Sequence, residues 1–357
     1  MKIAINTFPL ISGHKDRGIG FYTDNLIESL KKDSEIEIQE FINLSEVKEA
    51  DIIHYPWFDF FFHNLPLRRK FKTVVTIHDV IPLLFPKEYP VGLKGKYNFF
   101  LQRLALRNCN YIITDSNICK LDIKKVFKIP DEEISVVHLA PDSNFKIVND
   151  TNRIHIKKKY NLPNRFLLYV GDANWVKNLP FLIEGFNQIS KLSEFKDVKL
   201  VLIGGVFLKK VENINHPELI SIKKVNSLIK DLEIEEKIIR PGNIGLNELI
   251  SFYNLATIYI QPSVYEGFGL PLLEAFSCGV PVLSSRGGAL SEIGGDAAVY
   301  FDSNNLNQFT SLLKDILQSK SLQDKLSKSG FKQVAKYSWR KVAHETKNIY
   351  SKVIRNG

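Results

Sequence analysis

The tightest constraint on how this chain folds is an alternation that runs along it twice. Short apolar runs ending in polar residues give way to amphipathic segments with apolar residues every three or four positions. In the first half, Lys2–Thr7, Asp51–His54, Thr73–His78, Tyr111–Thr114 and Ile134–His138 read as strands, and Phe21–Lys31, Leu93–Arg107 and Asn117–Phe127 as helices. Consecutive parallel strands need a crossover, usually a helix, so this order predicts a parallel sheet covered on both faces. A polar, Lys- and Asn-rich stretch, Asp142–Asn164, reads as a linker. The alternation then resumes. Phe166–Val170, Lys199–Ile203, Lys237–Arg240, Thr257–Ile260 and Val280–Leu283 read as strands. Leu179–Ser190, Ser227–Leu232, Leu246–Leu255 and Pro271–Ser277 read as helices, with further helices over Leu306–Lys320, Leu322–Lys336 and Trp339–Ile354. The expected architecture is α/β, two doubly wound domains over residues 1–160 and 161–336, with a last helix in 337–357. Sheets of this kind bind ligands beyond the carboxyl ends of their strands, where the strand order reverses.

Composition narrows the function. Charged residues make up 24% and apolar residues 44% of 357, so disorder, collagen and coiled coil are excluded as global descriptions. No window approaches the 18 or so apolar residues of a spanning helix. The N-terminal MKIAINTFPL, broken by Asn6 and Pro9, reads as a buried strand rather than a signal peptide. Three cysteines (Cys109, Cys119 and Cys278) have neither metal spacing nor an even count, which fits a reducing cytoplasm. The net charge of +9 is concentrated: Phe60–Pro130 holds thirteen Lys/Arg against four Asp/Glu. Such a face attracts phosphates or an acidic membrane surface. Within it, YPWFDFFFHNL (55–65) sets aromatics beside a cationic RRKFK. These aromatics are either core or an interfacial membrane surface, and both readings stand at this level.

The stretch PSVYEGFGLPLLEAFSCGVPVLS (262–284) carries the most chemistry. A strand ends at Ile260. A loop with Gly267 and Gly269 follows, where backbone can approach a ligand, and Pro271 stands where a first helical position falls. The helix stops at Gly279 and a new strand begins. Loop amides and a helix N-terminus converge there, and both attract phosphate. Glu266 lies in the loop and Glu274 in the helix. A carboxylate accepts several hydroxyl hydrogen bonds at once, which suits a polyol ligand.

Residues 266–275, EGFGLPLLEA, resemble the signature of glycosyltransferase family 4, whose members are retaining nucleotide-sugar transferases of GT-B fold. YVGDANWVKNLPFLIEGF (169–186), TIHDVIPLLFP (76–86), ITDSNICKLDI (113–123), VVHLAPDSNF (136–145) and RGIGFYTDNL (17–26) resemble further blocks of the family, in its order. The combination looks most like the mannosyltransferase-type members that assemble bacterial surface polysaccharide, lipopolysaccharide among them. The resemblance implies two domains facing across a cleft, the first on the acceptor side and the second holding the nucleotide sugar. It implies that Glu274 holds the ribose hydroxyls and Glu266 the donor hexose. Backbone amides around Gly267, Phe268, Gly269 and Leu270 would contact sugar and diphosphate, and Lys177 would bind phosphate. It gives His78 a hydrogen bond to the donor sugar. Ser116 also follows a strand, and from there it faces either the cleft or the fold; both readings stand. The last helix would cross back to the first domain.

One departure stands out. Many members carry an Arg where this chain has Asp172, so a second cation for the diphosphate must come from elsewhere, with Arg240 and Arg17 as candidates. Gly18 and Gly20, read as a loop before a helix, and Gly204–Gly205 after the strand KLVLI, would bring backbone amides to the donor or form simple tight turns. The GxG fragment lacks the third glycine of a dinucleotide fingerprint. No D-x-D pair occurs and no His or Cys cluster has ligand spacing, so no metal and no cofactor is expected beyond a nucleotide-sugar co-substrate, GDP-mannose first and a UDP-sugar second.

The reading is therefore a metal-independent, retaining hexosyltransferase with Glu266, His78 and Lys177 as catalytic residues. Its acceptor is a glycan or lipid-linked glycan at the cytoplasmic membrane face, and nucleic acid is not expected as a partner. A non-catalytic partner subunit of a true transferase and a nucleotide-sugar epimerase on the same fold are the alternatives.

Overall fold

In the computed structural model, residues 1–13, 18–209, 211 and 219–355 are described. Arg17 lies outside them. The chain forms two compact units, residues 1–140 with 337–357, and residues 141–336.

The first unit is built on β1 (Lys2–Asn6), α1 (Phe8–Ile11), α2 (Gly18–Leu30), β2 (Glu37–Phe41), β3 (Ile52–Tyr55), β4 (Thr73–Thr76), α3 (Ile81–Leu84), α4 (Leu93–Arg107), β5 (Tyr111–Thr114), α5 (Asn117–Phe127) and β6 (Ile134–Val136). The strands form one parallel sheet in the order β2-β1-β3-β4-β5-β6. The interior strands β3, β4 and β5 are buried at every position, as expected of strands covered on both faces. β2, EIQEF, is an edge strand whose charged residues face water. The sequence reading followed continuous apolar runs and so passed over this alternation of charged and apolar residues, which suits a half-buried strand. Tyr55, Trp57, Phe58, Phe60 and Leu65 are core, and in the 55–65 stretch it is Phe62 that stands out into water, at 68% exposure. Apart from Phe62, the aromatics of the run pack inward, Phe58, Phe60 and Phe61 against Phe127 and Phe99.

The second unit begins earlier than the sequence suggested. The stretch read as a linker contains α6 (Asp150–Lys159), which packs on a later helix. Tyr160 donates a hydrogen bond to Glu248 (2.9 Å), and Lys159 pairs with the same carboxylate (2.5 Å). The helix is polar on most of its circumference, with Ile156 its buried residue, so its apolar period was too weak to read. The unit continues with β7 (Phe166–Val170), α7 (Leu179–Ser190), β8 (Lys199–Ile203), α8 (Ile220–Asp231), β9 (Ile238–Gly242), α9 (Leu246–Leu255), β10 (Ile258–Gln261), α10 (Leu270–Ser277), β11 (Val282–Ser285), α11 (Leu290–Gly294), β12 (Ala298–Phe301), α12 (Leu306–Gln318) and α13 (Lys320–Val334). Its parallel sheet runs β12-β11-β10-β7-β8-β9. The chain starts in the middle at β7, builds outward to β9, then returns to β10 on the other side. The switch point thus lies between β7 and β10.

The last helix, α14 (Trp339–Arg355), belongs to the first unit. A buried chain of hydrogen bonds fixes it. Tyr350 Oη lies 2.6 Å from His54 Nδ1, His54 Nε2 lies 2.8 Å from Thr76 Oγ1, and Thr76 Oγ1 lies 3.0 Å from Tyr22 Oη. Burial pulls the His54 pKa down to about 3, with the charge of His78 adding to the effect.

Among the described residues, no helix is long and apolar enough to cross a membrane.

Candidate functional site

The carboxyl ends of β7 and β10 deliver two loops to the switch point of the second sheet. Their backbones are tied together, Val264 N donating to the Val176 carbonyl (2.8 Å). This tie brings the next residues of each loop together. Lys177 Nζ donates to both carboxylate oxygens of Glu266, at 2.8 and 2.9 Å. Ser263 Oγ (2.6 Å) and Gln261 Nε2 (2.7 Å) also donate to Glu266 Oε1. Gln261 is itself oriented by the Tyr259 hydroxyl, and Gln261 and Ser263 are buried. Oε1 therefore accepts three hydrogen bonds and Oε2 one. Glu266 is held as a carboxylate with one oxygen aimed by protein donors and the other shared with a half-buried ammonium.

A third segment closes over this loop from behind. After β11, Ala289 N donates to the Glu266 carbonyl (2.9 Å). A Cβ at Gly288 would come within 2.2 Å of the same carbonyl oxygen, so only glycine fits. Sequence reasoning passed over Gly288 and over Gln261 and Ser263. The doublet in SRGG was the visible signal for the first; Gln261 and Ser263 carried none.

Gly267, Phe268 and Gly269 are buried and lead into α10, with Leu270 as its first residue and Pro271 as its second. Gly269 sits at φ +101°, a left-handed conformation that makes the turn into the helix possible. Glu274 follows one turn along. Its Oε2 accepts from Tyr253 Oη on α9 (2.8 Å). Burial pushes its pKa up to about 7, the Tyr253 hydrogen bond opposing and Asp142 adding to the rise.

The other residues singled out in the sequence stand apart from this cluster. Arg240 lies half-buried in edge strand β9, two strands from β7 and so about 10 Å across the sheet. Burial draws its pKa down, with Glu235 acting the other way. Gly204 approaches backbone closely, but the backbone of Gly171 rather than a ligand, and its N–H donates to the Gly242 carbonyl (3.1 Å). That amide is thus taken up inside the fold, which corrects the expectation that it faces a donor. Asp172 is exposed, with its carboxylate accepting from Ala173 N in its own turn. Asn178, next to Lys177 at the start of α7, makes no side-chain cap bond and donates to the Ser303 carbonyl (3.1 Å).

The first unit holds the remaining candidates. Gly18 and Gly20 are not a loop before a helix; they form the first turn of α2, whose apolar face includes Leu26, Ile27 and Leu30. Ser116 caps α5, its hydroxyl accepting from Cys119 N (3.1 Å). His78 follows β4 and is engaged at both ring nitrogens. Nε2 donates to the Pro56 carbonyl (3.0 Å), and Nδ1 lies 2.7 Å from Asp115 Oδ2. A carbonyl only accepts, so Nε2 carries a proton, and the Nδ1–Asp115 contact must share a second one. Burial disfavours the imidazolium, but the Asp115 carboxylate and the hydrogen bonds to Asp115 and Pro56 outweigh it and raise the His78 pKa. Asp115 is also raised, by burial against the opposing pull of His78.

Among the described residues, no group of three or more His, Cys, Asp or Glu side chains gathers as a metal site would require.

Comparison with known proteins agrees with this arrangement. Residues 150–333 match the family described as "Glycosyl transferases group 1", and residues 36–144 match "Glycosyltransferase Family 4". The O-antigen chain mannosyltransferase B of Escherichia coli is 27% identical over 82% of this chain and 74% of its own length. The serotype-specific mannosyltransferase WbdA of Escherichia coli is 26% identical over 80% of this chain, which spans only 34% of that longer protein. Among solved structures, sucrose-phosphate synthase of Thermosynechococcus elongatus superposes with a TM-score of 0.76 at 16% identity, covering 100% of both chains. That likeness identifies the fold as GT-B.

Proposed function

The chain belongs to the group 1 glycosyl transferases, and from that premise we propose that it moves mannose from GDP-mannose to a glycan or lipid-linked glycan in cell-surface polysaccharide assembly, with retention at the anomeric carbon. The observation that carries the proposal is the meeting of Lys177 and Glu266 at the switch point of the second sheet, in the loop that leads into the helix carrying Glu274. The mannosyltransferase relatives support the sugar, and the resemblance supports the base.

In this reading Glu274 accepts from the ribose hydroxyls. Lys177 exchanges its contact with Glu266 for the diphosphate, freeing Glu266 Oε2 for a hydroxyl of the hexose while Gln261 and Ser263 keep Oε1 in place. As the bond from the anomeric carbon to the diphosphate oxygen breaks, negative charge grows on the leaving group. The Lys177 ammonium and the amides of 267–270 answer that charge without having to reorganise. The acceptor oxygen bonds to the anomeric carbon on the face the diphosphate leaves, and the departing phosphate oxygen takes the acceptor proton. His78 is proposed as a further contact of the hexose. No metal is needed for this charge balance.

The test is donor turnover by the purified protein with GDP-mannose, UDP-glucose and ADP-glucose, each with and without chelator, and NMR of the anomeric product. The proposal expects GDP release and a retained anomer, unchanged by chelator. Release only from another nucleotide sugar would reassign the donor, and loss with chelator would reject metal independence. Interconversion of a nucleotide sugar without acceptor would point to an epimerase. Binding without turnover would favour a silent subunit, the alternative raised by Asp172.

A further inference from the structure

The first unit carries a helix, α4, that is apolar on the side facing water as well as at Ala105 and Leu106 on the side facing the core. The buried face of α4 includes two amides. Asn98 donates to the Phe61 carbonyl (2.8 Å), and Gln102 donates to the Asp59 carbonyl (3.1 Å) and to Asn64. The face in water is apolar: Leu93, Tyr97, Phe100 and Leu104 are 85%, 63%, 58% and 37% exposed. At 100° per residue these four fall within about 60° of the helix circumference, a continuous stripe. Lys96, Arg103 and Arg107 lie along one side of it and Lys94 along the other, and α4 has no acidic residue. The loop those amides clamp extends the surface. Phe62 and Leu67 are exposed, Asn108 at the helix end donates to the Leu67 carbonyl (3.1 Å), and Arg68, Arg69 and Lys70 follow.

We propose that this face docks on a bilayer rich in anionic headgroups, with α4 lying in the plane of the interface. Single exposed apolar side chains are ordinary on a protein surface; four in line on one helix are not. The amides hold the helix in this orientation, so the stripe faces outward as part of the fold. An apolar stripe of this width sinks to the acyl boundary while flanking Lys and Arg stems reach back to the phosphates. The same cations argue against a second copy as the occupant. Self-pairing would set one four-fold positive helix against another, with no carboxylate on it to answer the charge. The proposal lies wholly in the first unit and does not depend on the identity of the donor.

The experiment is co-sedimentation of the full chain with vesicles of pure phosphatidylcholine and with vesicles of equal parts phosphatidylcholine and phosphatidylglycerol, at low and high salt. The protein is expected to bind the anionic vesicles at least tenfold more strongly, with the difference shrinking as salt rises. Tyr97→Ser with Phe100→Ser should lower that binding about tenfold or more, and Lys94→Gln with Lys96→Gln should lower it about fivefold per charge. Far-UV circular dichroism checks that each variant is folded; the positions are exposed, so folding should survive. Equal binding to both vesicles, or binding unchanged in folded Tyr97/Phe100 variants, would overturn the proposal. So would a wild-type dimer in sedimentation velocity that those substitutions convert to monomer, because the stripe would then be a self-interface.

Discussion

Glu274 is a half-buried carboxyl with its pKa pushed up to about 7, chiefly by burial. The folded state keeps that proton more tightly than the unfolded chain does. Between the ordinary carboxylate range and about 7, the contribution of this group to stability therefore falls as pH rises. A position that weakens the fold near neutrality and is nonetheless acidic is expected to act on a ligand. Glu274→Gln should melt higher than the wild type at about pH 8, where the wild type must bury a charge, and bind nucleotide at least about tenfold more weakly. Wild-type nucleotide affinity should rise with pH through about 7, and the slope should vanish in the variant; calorimetry at several pH values checks both. His54 has the opposite sign. Its folded pKa of about 3 lies below its ordinary value, so the first unit loses stability as pH falls from about 6.5 towards 3. Thermal melts across that range, flattened in His54→Gln, are the expected result. Gln261 is the third case. Gln261→Leu strips a donor from Glu266 and leaves the Tyr259 hydroxyl without its acceptor, with an expected loss of about 1–3 kcal/mol in stability and about tenfold or more in turnover. These residues also mark what the sequence revealed. Glu266, Glu274 and Lys177 stood out because their spacing repeats a family pattern. Gln261 and Ser263 did not, because a buried polar residue next to a strand looks the same whether it aims a carboxylate or closes a turn.

At the scale of elements, strong apolar periods were legible and weak ones were not. α4, α5 and α7 begin and end where their apolar spacing begins and ends. β12 is only four residues long and two of them are half-buried, so AVYF carried too little pattern. α6 was lost to its polarity, because its docking runs through an ion pair and a tyrosine hydroxyl beyond its end rather than a broad apolar stripe. Periodicity also concealed the meaning of α4. Its apolar residues were read correctly as helical, but they lie on two sides, Ala105 and Leu106 inward beside the amides of Asn98 and Gln102 and the stripe from Leu93 to Leu104 outward, and a helical period does not say which side is inward. α14 offers the clearest test of an element. Its buried Tyr350 hydroxyl ends the chain of hydrogen bonds through His54 and Thr76. Tyr350→Phe should cost about 1 kcal/mol of stability, measured by denaturant unfolding, because it removes one buried bond and leaves the rest. The partly solvated pairs that Lys347 of the same helix makes with Asp33 and Glu35 should contribute less.

At the scale of the molecule, alternation of strand and helix announced two parallel sheets but not the order of strands within either. That order decides where a ligand binds. In the second sheet it puts β7 beside β10, and this adjacency joins Lys177 to Glu266 although 89 positions separate them in the chain. Because each unit has its own sheet and core, residues 141–336 should fold as a separate piece and retain nucleotide binding, whereas 1–140 without 337–357 should not fold stably. Circular dichroism and melting of the two fragments check this. The central claim, a nucleotide-sugar site built from Lys177, Glu266 and Glu274, is tested most directly by calorimetric titration of GDP, UDP and ADP into the whole protein, the Glu274→Ala variant and the Lys177→Ala variant, all in chelator. The account predicts that one nucleotide diphosphate binds and that Glu274→Ala and Lys177→Ala each weaken it at least about tenfold. Folded wild-type protein that binds none of the three, or a Glu274→Ala variant that binds as tightly as the wild type, would contradict it.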